Sequence, residues 1–118
     1  MDISDMDMFD PLAPASLHIL LALSEGPAHG YGILQAVRED ASGSVRLGTG
    51  SLYRHLSKLI DAGFVSEVQP GPSADPRRGN SYRLTARGRQ ALAVERERLA
   101  ALVTTLDAAA RRLRKGSA

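Results

Sequence analysis

The chain has no cysteine and no tryptophan, and aromatic residues make up only 4% of its 118 residues. The lack of cysteine excludes disulfides and thiolate metal sites. With so few aromatic side chains, a deep small-molecule pocket would have to be built from aliphatic residues or across a subunit boundary. No apolar run approaches the ~18 residues that cross a bilayer, and the acidic start MDISDMDMFD lacks the basic region of a secretory signal. We therefore expect one cytoplasmic domain that does not associate with membranes.

Charge is distributed unevenly along the chain. Residues 1–40 contain seven acidic residues against Arg38 alone, a net charge of −6, whereas residues 41–118 contain fourteen basic and six acidic residues, a net charge of +8. Clustered basic residues are typical of proteins that bind polyanions. Ordinary solvated surfaces also carry such charges, so charge favours a nucleic-acid partner without deciding it.

Prolines, glycines and apolar spacing divide the chain into four helices and a β-hairpin. We predict, in order, a disordered tail over residues 1–10, helices in ASLHILLALSEG and HGYGILQAVRED, a third helix over residues 48–62, strands in FVSEV and SYRL joined by a loop over residues 70–80, and a final helix. The final helix is expected to follow an N-cap at Thr85 and to reach Lys115, because only Gly88 near its start interrupts the pattern.

The third helix is predicted to have one apolar face and one polar face. Its apolar positions recur at helical spacing and are Leu52, Leu56, Leu59 and Ile60. The opposite face, here called the donor face, carries Ser51, Arg54, His55 and Lys58. Such a helix, followed by a hairpin and a new helix, predicts a mainly α fold with a small β-hairpin, a winged helix-turn-helix.

Winged helix proteins insert this third helix into the major groove of DNA, whose width of ~12 Å admits a helix. Arg54 is expected to bond guanine or grip phosphate, and Lys58 to contact phosphate as a point charge. Ser51 lies where it reaches phosphate or a base edge. Tyr53 is expected to pack its ring against the domain while its hydroxyl reaches the DNA backbone. The predicted interface also includes Thr49 and His55.

The loop over residues 70–80, here called the wing, carries Arg77 and Arg78. Solvated loop arginines are common. Their place beside a helix that already presents basic residues favours contact with phosphate or the minor groove.

No residue pattern in the chain points to catalysis, a metal or a cofactor. His18, His29 and His55 lack the spacing of metal ligands, and structural or surface roles are expected for them. There is no Ser/His/Asp constellation, and GTGSL lacks the ending of a phosphate-binding loop. An enzyme is therefore disfavoured, and the main alternative to a DNA-binding regulator is a winged helix that serves as a protein–protein adaptor.

The final helix repeats leucine with sevenfold spacing. Leu92, Leu99, Leu106 and Leu113 take one heptad position, Leu102 and Ala109 take a second, and Glu95 interrupts the series. We predict a homodimer formed through Leu99, Leu102, Leu106 and Leu113, here called the leucine seam. The alternative is that the seam folds back on the first helix. On this view residues 11–88 form the DNA-binding domain and residues 89–115 the dimerisation helix.

Three segments resemble the PadR family of bacterial transcriptional regulators. They are HILLALSEGPAHGYGIL, GSLYRHLSKLIDAGFV and RRGNSYRLTARGRQAL, in the order and approximate spacing of the family. The resemblance implies a homodimeric repressor in which the third helix reads operator DNA and the long C-terminal helix forms the dimer. Two-fold symmetry then predicts a pseudo-palindromic double-stranded operator.

Several site residues follow from this resemblance. Tyr31 matches the tyrosine of the family's Gly-Tyr pair, Ser51 its small hydroxyl residue and Tyr53 its recognition-helix tyrosine. Arg54 and His55 stand where many relatives have proline and a small residue. The single C-terminal helix is similar to the short PadR subgroup. Some members of that subgroup bind flat aromatic compounds through a tryptophan that this chain lacks, so the sequence leaves a small-molecule effector open.

Overall fold

The structure is a computed structural model that describes residues 9–40, 45–73 and 75–116. Its elements, in chain order, are α1 (Pro14–Ser24), β1 (Ala28–His29), α2 (Gly30–Asp40), α3 (Thr49–Asp61), β2 (Val65–Val68), a short 3₁₀ helix (Pro76–Arg78), β3 (Ser81–Leu84) and α4 (Ala86–Gly116). The predicted helices and hairpin are all present. In the described residues, no helix is long and apolar enough to span a bilayer.

Local sequence signals set two of the helix ends. At the end of α3, Gly63 has a φ of +82°, its N–H donates to Ile60 O, and Phe64 N–H donates to Leu59 O, each at 2.9 Å. This double hydrogen bond satisfies carbonyls at the helix end and turns the chain into β2. At the start of α4, Gly88 N–H donates to Thr85 Oγ1 at 3.0 Å, which confirms the predicted N-cap.

The hairpin belongs to a three-stranded antiparallel sheet in the order β1–β3–β2. Val65 pairs with Leu84 and Val68 with Ser81 across the hairpin, and Ala28 of β1 pairs with Tyr82. The sequence analysis did not predict β1. Two residues are too few to show an alternating pattern, and this strand exists only because β3 offers a partner.

One hydrophobic core joins the three short helices to the sheet. Its fully buried side chains come from the predicted apolar stripes of α1, α2 and α3, and the largest are Ile19, Leu20, Ile33, Val37, Leu52 and Leu56. Val65, Tyr82 and Leu84 close it from the sheet side. The core therefore fixes the apolar face of α3 inward and leaves its donor face outward.

The predicted tail over residues 1–10 requires a correction at Phe9, and residues 1–8 lie outside the described residues. The Phe9 side chain is 6% exposed. It forms a second small cluster with Ala91 and Val94, against which Phe64 packs. The Arg87 guanidinium lies 5.0 Å from the centre of the Phe9 ring. Phe9 is buried because α4 and the start of β2 supply an apolar surface that its acidic local sequence does not reveal.

Helix α4 divides into a packed and an exposed part. Near its start, Ala91, Val94 and Glu95 are buried. Glu95 interrupts the predicted heptad series because it faces this chain's own N-terminal segment, where its carboxylate accepts a hydrogen bond from Leu12 N–H. From Leu99 to Asp107 every side chain is exposed. The helix begins as part of the domain and then leaves it.

Candidate nucleic-acid interface

The start of α3 is held by a cap that uses one of the predicted contact residues. Ser51 Oγ accepts a hydrogen bond from Gly48 N–H at 3.0 Å and lies 3.1 Å from Gly48 O, to which it donates. The Ser51 hydroxyl hydrogen is therefore committed to the helix cap. Thr49, the first residue of α3, is exposed.

The two cations of the donor face are exposed and available. In the described part of the chain, neither Arg54 nor Lys58 is in an ion pair, and both side chains are exposed. His55 is half-buried between them. Burial lowers the pKa of His55, and the charges of Lys58 and Arg54 lower it further. Its imidazole is thus held towards the neutral form, so the donor face presents two fixed cations around a neutral ring.

Tyr53 lies at the edge of α3 that faces the start of α2. Its side chain is 47% exposed, and its phenol packs against Gly30 so closely that a Cβ on Gly30 would lie 2.7 Å from Tyr53 Oη. This confirms that the ring packs on the domain. What the hydroxyl does towards DNA stays a prediction.

Tyr31 follows Gly30 in the first turn of α2 and is 69% exposed. Its hydroxyl accepts a hydrogen bond from Gln35 Nε2 at 2.9 Å, one helical turn further on. The contact keeps the exposed ring along the helix surface and leaves the hydroxyl hydrogen free to donate. A phosphate oxygen is a suitable acceptor for it.

The tip of the wing is ordered by a local turn that the sequence analysis did not predict. Asp75 Oδ1 accepts a hydrogen bond from Arg77 N–H at 3.0 Å and so caps the 3₁₀ helix. Arg77 and Arg78 are both exposed. At its base, Asn80 Nδ2 donates to Glu67 Oε1 across the hairpin. The wing arginines are therefore carried on a capped turn rather than on an unstructured loop.

Two residues that adjoin α3 were not among the predicted contact residues. Arg46 is exposed just before the start of α3. The only sign of it in the sequence is its basic side chain ahead of the predicted helix. Gly30 entered the sequence analysis only as the glycine of the Gly-Tyr pair, because the ring that packs against it lies on another helix. Among the described residues, no three His, Cys, Asp or Glu side chains are grouped as metal ligands.

A second exposed surface runs along α4. The leucine seam is exposed, from 42% at Leu99 to 73% at Leu113, and Val103 lies exposed beside it. Leu92, by contrast, packs partly against the main core. Near it, a groove of about 400 Å³ is lined by Leu17, Leu21, Leu92, Ala93, Arg96 and Leu99. Leu92 therefore packs on the domain, whereas the side chains of the leucine seam stay exposed. Its first two leucines, Leu99 and Leu102, also line a groove with Leu17 of α1.

Residues 19–94 match the family described as the transcriptional regulator PadR-like family. The chain belongs to this family. An uncharacterized 37.1 kDa protein in transposon TN4556 of Streptomyces fradiae is 39% identical over 88 residues. The match covers 75% of this chain and 24% of that protein, so the chain spans about a quarter of the relative's length.

Solved structures carry the same fold. A PadR family transcription regulator from Clostridium difficile superimposes with a TM-score of 0.70 at 20% identity, over 80% of this chain and 96% of that one. Bacillus subtilis PadR, solved in complex with operator DNA, superimposes with a TM-score of 0.56 at 27% identity, over 65% of this chain and 43% of that one. The predicted PadR-type winged helix is confirmed. The description of this family is that of transcriptional regulators.

Proposed function

We propose that this PadR-like protein is a homodimeric repressor that binds a specific operator, with α3 in the major groove and the wing on the adjacent backbone or minor groove. The observation that carries this proposal is the coincidence of two sets of exposed cations. Arg54 and Lys58 lie unpaired on the outer face of α3, and Arg77 and Arg78 lie exposed on the capped wing. A protein-binding adaptor has no need for cations at both places.

The fold supports this assignment of roles. The apolar side of α3 is sealed in the core by Leu52, Leu56 and Leu59, so only its donor face is available to a groove. Thr49, Ser51, Tyr53 and His55 lie beside the cations on this helix. Tyr31 lies at the start of α2, next to the glycine that Tyr53 packs against. Bacillus subtilis PadR, with 27% identity, was solved with operator DNA. We propose the same class of ligand for this chain.

The proposed dimer rests on the surface of α4. An apolar row that stays exposed over several turns of a helix is unfavourable in water, and a second copy of the same helix provides a matching apolar surface. Two copies related by a two-fold axis would present two α3 helices. The operator is then expected to be a pseudo-palindrome with half-site centres about 10 bp, one helical turn, apart.

The experiment that tests this proposal separates base reading from phosphate contact. A duplex enriched by the protein from a random-sequence pool and a scrambled duplex are titrated at several salt concentrations. Arg54→Ala is expected to cost about 1 to 3 kcal/mol on the enriched duplex, less on the scrambled one, because a guanine contact is lost. The wing double variant Arg77→Ala/Arg78→Ala is expected to weaken both duplexes alike and to reduce the salt slope by roughly 0.9 per lost phosphate contact.

Arg89→Ala is the matched control, since Arg89 is an exposed arginine in the first turns of α4, after β3, rather than on the wing. It should bind both duplexes like the wild type. Equal losses on both duplexes for Arg54→Ala would make Arg54 a backbone contact. If neither Arg54→Ala nor the wing double variant loses affinity, the proposed DNA-binding face is wrong.

A further inference from the structure

A glycine at the start of α2 and a tyrosine on α3 pack directly against each other. Gly30, the first residue of α2, is buried. A Cβ on Gly30 would lie 2.7 Å from Tyr53 Oη, 3.2 Å from Cζ and 3.5 Å from Cε1. Carbon atoms in contact lie at about 3.5 to 4.0 Å, so any side chain at this position would collide with the tip of the ring. The Tyr53 ring occupies the space that a side chain on residue 30 would fill.

The glycine that Tyr53 packs against adjoins the sheet. Gly30 directly follows β1, whose Ala28 pairs with Tyr82 of β3. Tyr82 is buried in the core. Tyr53 therefore packs against the start of α2 at the point where α2 continues from the sheet that carries the wing.

This contact links residues that the proposed function assigns to DNA. Tyr31 follows Gly30 directly, and Arg54 follows Tyr53 directly. Because Tyr53 is 47% exposed, a ring pushed off Gly30 has room to swing outward, towards the surface that would face the groove. The hydrophobic core beneath Leu52 and Leu56 would not have to open. A change at residue 30 would thus disturb the DNA-facing surface while leaving the core packed.

We propose that Gly30 is a positioning residue for DNA binding, because its missing side chain provides the seat that fixes Tyr53 and holds the start of α2 against α3. This inference rests on the proposed function of α3 as the helix that enters the major groove. The backbone does not require glycine here, because Gly30 is not one of the described glycines with a positive φ. The requirement comes only from the ring of Tyr53.

The test measures affinity for the duplex enriched by the wild-type protein from a random-sequence pool, together with the thermal unfolding midpoint. Gly30→Ala is expected to weaken binding about tenfold or more, the size of one lost contact of a recognition helix, with little change in the midpoint. Gly32→Ala is the matched control on the same helix, because a Cβ there would meet only Ala28 Cβ at 3.9 Å. It should bind like the wild type.

The Tyr53→Phe variant shows whether Gly30 acts by leaving room for the Tyr53 ring or through a general role in folding. This change removes the Oη atom at 2.7 Å and leaves Cζ at 3.2 Å, a separation that a small shift of the ring accommodates. Gly30→Ala/Tyr53→Phe is therefore expected to bind as well as Tyr53→Phe alone. The second substitution should rescue the first in the same way if Gly30→Ala proves to fold poorly.

Three results would overturn the inference. They are wild-type affinity in Gly30→Ala, losses that simply add in the double variant, and a folding defect of Gly30→Ala that Tyr53→Phe does not repair. If the wild-type protein itself enriches no sequence and binds no duplex, the proposed function fails, and this inference fails with it. Normal binding by the wild type and by Gly30→Ala would leave the proposed function intact and remove only the role of Gly30.

Discussion

At the scale of single residues, the glycines of this chain differ in what surrounds them rather than in their local sequence. Gly88 lies in the first turn of α4, where a Cβ would come within 2.2 Å of the carbonyl oxygen of Phe64 and 2.7 Å of Leu84 Cδ1. Gly50 lies in the first turn of α3, where a Cβ would meet nothing within 4 Å. Helix propensity favours alanine over glycine at both positions by up to about 1 kcal/mol. Packing overrides this preference at Gly88.

We predict that Gly88→Ala destabilises the protein by about 3 kcal/mol, because the Phe64 carbonyl belongs to the backbone and cannot yield like a side chain. Gly50→Ala, the matched control, should be as stable as the wild type or slightly more stable. Urea unfolding at a fixed protein concentration measures both. A Gly88→Ala variant of wild-type stability would show that α4 moves away from β2 at little cost.

At the scale of elements, two neighbouring ion pairs on α4 illustrate how burial determines the contribution of an ion pair to stability. Arg98 and Glu95 are 2.9 Å apart, and the Glu95 side chain is 4% exposed. Glu95 also accepts a hydrogen bond from Leu12 N–H, and Arg98 Nη2 donates to Phe9 O at 2.6 Å. The pair Arg96 and Glu97 is 3.3 Å apart and largely exposed. The first pair fastens residues 9–12 to α4, whereas the second lies in solvent.

Arg98→Met is expected to cost about 2 to 3 kcal/mol of unfolding free energy, because it leaves the Glu95 carboxylate buried without its cation. The value should lie at the low end for a buried pair, since Arg98 retains some contact with solvent. Glu97→Gln, which breaks the exposed pair, should change stability by no more than about 0.5 kcal/mol. Chemical denaturation of the two variants decides this, and equally small losses would contradict a structural role for the Glu95 pair.

At the scale of the whole molecule, α4 serves two purposes along its 31 residues. Its first turns complete the domain through Ala91 and Val94. Its remaining turns carry the exposed leucine seam beyond the domain. A helix of 31 residues is about 46 Å long, and the apolar row on its exposed part is the surface on which we propose the dimer.

We predict that Leu106→Glu raises the dimer dissociation constant by about 30-fold or more, because a carboxylate would enter the apolar centre of the interface. Thr104→Glu, on the same exposed part of α4 but outside the seam, should leave it unchanged. Sedimentation velocity over a concentration series measures the association of each variant. DNase footprints should show two protected major-groove patches for the wild type and for Thr104→Glu, but weak protection for Leu106→Glu. A wild-type protein that stays monomeric throughout would contradict the interpretation of the seam.

The parts of the fold that sequence reasoning predicted correctly depend on short-range patterns. Leu52, Leu56 and Leu59 recur at the helical period within one segment, and the end of α3 is encoded by Gly63. These signals involve residues only a few positions apart, so they are visible without knowing the fold. Strand β1 was missed because it depends on a distant strand. The capped turn of the wing does have a local signal, Asp75 two residues before Arg77, which the sequence analysis did not use.

By itself, the sequence determined the helices, the hairpin, the face of α3 that is buried and the family to which the chain belongs, because periodicity and caps are local properties of the chain. Only the tertiary structure decided that Phe9 and Glu95 are buried and that Gly30 packs against Tyr53. Phe9 and Glu95 meet partners more than 80 residues away in the sequence, as the separation of 83 between Leu12 and Glu95 illustrates. Gly30 owes its role to a ring on another helix. Burial and close approach are produced by the packing of distant segments, and no pattern within one segment encodes them.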